Sequence, residues 1–192
     1  MSSQKIFLFD FDGVIVDGMQ EYWHSSLLAC ERYLNSPSIS IDQKLYKRVP
    51  NSFKEIRPWV KYGWEMILIV HEIINFIKEL RKRGIKTGVI TTKGKIFAEK
   101  ILKQLNIFPE FIFGYESGTK VKIAEKLTQT YEILGFIEDR KKTLIEIKQN
   151  SKTSHIPCYL ADWGYLKVSD KYNLSNEIKL LKLGNLKELV AI

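Results

Sequence analysis

The sequence predicts an α/β fold: a parallel β-sheet with helices on both faces and a small helical insertion after the first strand. Three observations predict it. Apolar runs of strand length alternate with amphipathic segments of helix length from residue 69 onward. Several of those runs end abruptly on Asp, Glu or Thr. Residues 18–68 break the rhythm with no strand–helix–strand unit, and such a stretch is too long for a bare loop in a compact domain. Alternating strands and helices call for parallel strands joined by crossover helices, and ligands of such sheets sit at the carboxyl ends of the strands.

The first strand is KIFLFD, residues 5–10, too continuously apolar to be half exposed. In residues 69–84, Val70, Ile73, Ile74, Ile77 and Leu80 share one helical face, Arg81 to Arg83 fill the last turn and Gly84 stops the helix. A strand over 85–91 follows, then a helix over 95–105, a short strand over 111–116 and a helix over 120–132. The pattern continues with a strand over 134–139, a helix over 140–150 and a strand over 157–163, leaving a C-terminal helical piece over 175–190. This divides the chain into a core of 1–17 and 69–192 and a helical lid of 18–68, which holds three of the four Trp.

At 192 residues the chain suits one domain with an insertion, and 45% hydrophobic with 27% charged residues excludes disordered and collagen-like classes. The apolar start is interrupted by Asp10 and Asp12, so it serves neither as a signal-peptide core nor as a membrane span, and a cytoplasmic setting is expected. Cys30 and Cys158 form no CxxC and read as reduced thiols; His24, His71 and His155 have no metal-ligand spacing. The formal charge is +8, which asks for an anionic partner. Residues 78–152 alone sum to +8, where Lys alternates with Glu as on solvated faces, and no RNA-recognition or helix-turn-helix signature accompanies them. A non-enzymatic nucleic-acid-binding protein is therefore the remote alternative.

Four segments carry chemistry. In FLFDFDG, Asp10 closes a strand and Asp12 opens a Gly-containing turn, which places two carboxylates where a hard cation such as Mg²⁺ would neutralise them; a turn in which Asp12 caps backbone amides is the plain alternative. Thr91 and Thr92 follow the second strand, where a hydroxyl and free helix N–H groups suit phosphate oxygens, or where a threonine simply caps the helix. Lys120 starts a helix and opposes its dipole, so it needs an anion or must reach solvent; Lys122 competes for the same role. Glu138 and Asp139 end a further strand and would share a cation with Asp10 only if the two strands are neighbours; otherwise Asp139 caps the next helix beside Arg140.

In order and spacing, FDFDGVIVDG, VITTK, GTK and FIED resemble the four motifs of the haloacid dehalogenase superfamily of phosphohydrolases, over residues 5 to 165. TTKGKIFAEKIL and DWGY are similar to its phosphoglycolate phosphatase-like branch, whose cap is inserted soon after the first motif. The resemblance implies a Rossmann-like core and a phosphatase acting on a small phosphorylated metabolite, as a monomer or homodimer. It implies Asp10 as nucleophile forming an aspartyl-phosphate, and Asp12 as general acid and then base. It implies Mg²⁺ on Asp10, Asp139 and the backbone carbonyl of Asp12, with Thr91, Thr92 and Lys120 on the phosphoryl oxygens. The chain departs from the pattern with Thr143 where many relatives carry a second Asp, and without a Pro after Lys120; Glu138 is left as an outer or alternative ligand. The second Asp of the first motif argues for phosphoryl transfer over carbon–halogen cleavage. A phosphomutase of a sugar phosphate is the alternative reaction, and Arg57, in the aromatic segment EIRPWVKYGWEM, is the candidate specificity residue.

Overall fold

The computed structural model describes residues 3–16, 18 and 63–191. Most of the expected insertion, Arg57 and Trp59 included, lies outside the described residues. The elements run β1 (Gln4–Phe9), α1 (Gly63–Lys82), β2 (Lys86–Ile90), α2 (Lys95–Gln104), β3 (Phe111–Phe113), a 3₁₀ turn (Tyr115–Ser117), α3 (Lys120–Leu127), β4 (Tyr131–Glu138), α4 (Lys141–Gln149), β5 (Cys158–Ala161), α5 (Val168–Lys171), β6 (Ile178–Leu181) and a 3₁₀ segment (Leu183–Ala191). The strands form one six-stranded sheet in the order β3-β2-β1-β4-β5-β6, every pairing parallel.

β1 is central because its side chains are apolar on both faces. Phe7 and Phe9 point into a layer with Ile73, Phe76 and Leu80 of α1 and Leu102 of α2. Ile6 and Leu8, one residue out of phase, point into the other layer with Ile123 and Ala124 of α3 and Leu144 and Ile147 of α4. Phe76 meets Phe7 and Phe9 edge-on at centroid distances of 5.6 and 5.9 Å, contacts each adding about 0.5–1.5 kcal/mol beyond their burial. The β1–β4 ladder shifts register between Ile6 and Phe7, where the β4 partner jumps from Ile133 to Gly135, a bulge with Leu134 as the extra residue. A Cβ on Gly135 would collide with no room to spare between Phe7 and Tyr159.

The structure corrects several sequence boundaries. The helix expected from 69 begins at Gly63, and the one expected over 120–132 ends at Leu127, since Tyr131 and Glu132 already pair with β1. The C-terminal helical piece over 175–190 is instead edge strand β6 followed by a 3₁₀ segment. In IKLL only Ile178 and Leu181 are buried, a three-residue spacing that reads as helical, but the exposed backbone edge of β5 supplies hydrogen-bond partners that periodicity does not register. Among the described residues, no helix is long and apolar enough to cross a membrane.

Candidate active site

The register pair Phe9–Ile137 ends the β1–β4 ladder, so the next residues, Asp10 and Glu138, emerge side by side at the carboxyl edge. The Asp10 N–H donates to Ile137 O at 2.8 Å, fixing that exit. The condition set by the sequence, that the two acidic strand ends be neighbours, is therefore met. Gly13 turns the chain with φ +90°, a conformation that disfavours any side chain, and a Cβ there would collide with Asp139 Oδ2.

Of the two lysines, it is Lys120 that faces the acidic strand ends. Its side chain turns inward, 9% exposed, and Nζ lies 2.6 Å from both Asp10 Oδ1 and Glu138 Oε2. Lys122 is exposed and contributes its backbone N–H to the Thr119 hydroxyl, which caps α3. The anion that a lysine at a helix start requires is thus a buried carboxylate pair. Thr91 is buried; its hydroxyl accepts the Lys93 N–H at 3.0 Å, and its own N–H donates to Phe113 O. Neither threonine caps α2, whose N-cap is Gly94 without a side-chain bond. Thr92 is exposed but lines, with Thr91, Tyr115, Thr119, Lys120 and Thr143, an open cavity of about 470 Å³ beside the carboxylates.

Asp139 does not cap α4 either. Its Oδ2 accepts the Tyr165 N–H at 2.8 Å, while the Arg140 N–H goes to Glu138 Oε1 at 3.1 Å. Asp12 faces Lys93, with Oδ2 3.8 Å from Nζ. Lys93 and the Trp163-Gly164-Tyr165 loop are the site residues that sequence reasoning passed over. Lys93 stood in the quoted Thr-Thr-Lys-Gly turn and Tyr165 in DWGY, but nothing in either segment says which acid it reaches.

Burial, then the adjacent Glu138 charge, push the Asp10 carboxyl up to about 8 in spite of Lys120. Asp139 is pushed up to about 6, by burial first and by Asp10 second. Burial also raises Glu138, with Lys120 opposing. At Lys120 burial works against the charge, but Asp10 and Glu138 outweigh it and hold the ammonium above the usual lysine value. One oxygen each of Asp10, Glu138 and Asp139 fall within 4.8 Å of one another, and all three residues are buried. Three carboxylates facing one ammonium leave a formal charge of −2 out of water, which is costly without a counter-ion. The donor set, hard oxygens only, fits a divalent cation such as Mg²⁺.

Fold and site together define an α/β protein with three buried carboxylates gathered at the end of its two central strands. Residues 4–141 match the family of haloacid dehalogenase-like hydrolases, and the chain belongs to that family. No curated protein sequence matches the chain. Solved structures similar to it include a provisionally named beta-phosphoglucomutase from Thermotoga maritima (15% identity, 98% of this chain and 99% of that one, TM-score 0.58). A phosphoserine phosphatase in a phospho-aspartyl intermediate analogue is also similar (16%, 97% and 99%, TM-score 0.51). So is a provisionally named phosphoglycolate phosphatase from Lactobacillus delbrueckii subsp. bulgaricus (17%, 98% and 99%, TM-score 0.50). At these identities the likeness is one of fold.

Proposed function

We propose that this hydrolase is a Mg²⁺-dependent phosphatase that cleaves a small phosphate monoester through an aspartyl-phosphate on Asp10. The observation that supports this most is the buried set of Asp10, Lys120, Glu138 and Asp139 at the mouth of β1 and β4. Mg²⁺, held by Asp10, Asp139 and the Asp12 carbonyl, with Glu138 in reach, would screen the nucleophile from the anionic substrate.

The remaining steps belong to the side chains. Thr91, Thr92 and Lys120 bind the phosphoryl oxygens and orient phosphorus toward Asp10. Asp10 attacks, the P–O ester bond breaks, and Asp12 gives its proton to the leaving oxygen. Asp12 then takes a proton from water, whose oxygen attacks phosphorus, releasing phosphate and restoring Asp10. The segment between the first loop and α1 would supply substrate choice, with Arg57 as the candidate grip on the substrate's remaining polar group; on that reading Arg57→Ala raises KM more than it lowers kcat.

Purified protein assayed with p-nitrophenyl phosphate tests this reading. Turnover that needs Mg²⁺ and vanishes in Asp10→Asn is expected; absence of Mg²⁺-dependent turnover on that ester and on a panel of phosphometabolites contradicts it. Product analysis settles the reaction type, since an isomerised sugar phosphate formed without inorganic phosphate replaces hydrolysis by phosphoryl transfer within one sugar.

A further inference from the structure

The loop after β5 does more than leave the sheet. Tyr165 donates its backbone N–H to Asp139 Oδ2 at 2.8 Å, and its hydroxyl accepts the N–H of Gly18 at 2.7 Å. These two bonds join segments far apart in sequence: the end of β4 and the last residue described before Gly63. Both ends are tightly packed. A Cβ on Gly13 would approach Tyr165 Cδ2 to 2.7 Å, a Cβ on Gly164 would collide with Asp139, and a Cβ on Gly18 would collide with Asp12 Oδ1. Trp163 adds a third tie, its Nε1–H donating to Val14 O at 3.1 Å. The first loop, which carries Asp12, and the acid at the end of β4 therefore rest on the same aromatic loop.

We propose that Tyr165 is a positioning residue: by anchoring its ring on Gly18 it fixes the N–H that orients Asp139 toward the cation. A carboxylate holding a metal needs one oxygen turned inward and the other satisfied, and the Tyr165 N–H satisfies Oδ2. Without the hydroxyl the loop keeps its ring, its N–H and the Trp163–Val14 tie, but loses the bond that joins Tyr165 to Gly18. The inference rests on the reading of Asp10, Glu138 and Asp139 as a Mg²⁺ site.

The test is Tyr165→Phe beside the unaltered protein and Tyr172→Phe, which removes an exposed hydroxyl elsewhere. Mg²⁺ binding is measured by calorimetry in the absence of substrate, and the Mg²⁺ dependence of p-nitrophenyl phosphate hydrolysis is measured separately. Mg²⁺ affinity about 10-fold weaker in Tyr165→Phe, the usual scale for losing a group that orients a ligand, is expected. So are an unchanged metal-free melting temperature and a kcat that recovers at saturating Mg²⁺. Unchanged Mg²⁺ affinity, or a loss of kcat that saturating Mg²⁺ does not restore, overturns the proposal. Failure of the unaltered protein to bind Mg²⁺ overturns the metal reading itself, and this inference with it.

Discussion

The Lys120 ammonium lies 2.6 Å from Asp10 Oδ1, a contact between the first residue of a helix and the first residue beyond a strand. The same nitrogen lies 2.6 Å from Glu138 Oε2, so one cation holds two buried acids. Removing it strands both. Lys120→Ala is expected to abolish turnover and to destabilise the fold by about 3–5 kcal/mol, the range for breaking a buried pair from one side. Urea denaturation reads the second effect. Lys120→Met with Glu138→Gln should recover part of that stability and none of the activity, and Lys122→Ala should change neither.

Asp12 lies outside the carboxylate cluster, its Oδ2 3.8 Å from Lys93 Nζ, and the proposed function makes it the proton donor. Asp12→Asn should lower kcat by roughly 10²–10⁴-fold on an alkyl phosphate and by much less on p-nitrophenyl phosphate, whose leaving group departs without a proton. Equal losses on the two esters would remove Asp12 from the acid role.

The succession of strands along the chain was legible because β1, β2 and β4 are rich in apolar residues on both faces and run at their carboxyl ends into Asp, Thr or Glu-Asp. The pairing of Asp10 with Glu138 was not: it depends on β4 lying beside β1, and strand order is a property of the whole sheet. Lys120 and Lys122 were indistinguishable for a related reason. Two residues along a helix turn a side chain by about 200°, and which of them faces inward depends on where α3 meets the sheet. The Tyr165–Asp139 and Tyr165–Gly18 bonds left no mark in the sequence, because a backbone N–H carries no identity and Gly18 has no side chain. Edge strand β6 was misread for want of any signal that β5 had a free edge.

Mg²⁺ should stabilise the protein measurably. Burial keeps Asp10 and Asp139 well above their ordinary pKa values, so a cation competes with protons for them. Thermal unfolding is expected to shift upward with Mg²⁺ at pH 8, and less at pH 5, where protons occupy more of the ligands. EDTA should reverse the shift. A Mg²⁺ effect that grows as pH falls would contradict the assignment of these carboxylates.

Cys158 offers a check on the core that is independent of the site. Burial pushes its thiol up to about 11. At pH 8 the folded protein then holds about one thiolate per thousand molecules at this position, and a Cys30→Ser variant should react slowly with Ellman's reagent until it unfolds. The folded pKa is raised, so stability is full below the unfolded value near 9 and declines as pH rises toward 11. Fast labelling of the folded variant at pH 8 would show the β5 core to be open.

The central claim, that Asp10 carries the phosphoryl group, is tested most directly by trapping. The protein is mixed with substrate and Mg²⁺, quenched during turnover and treated with borohydride, which reduces an acyl phosphate to an alcohol that peptide mass spectrometry locates. Reduction at Asp10, absent without substrate and absent in Asp10→Asn, is the predicted result. Continued turnover with reduction at another carboxylate, or at none, would contradict it.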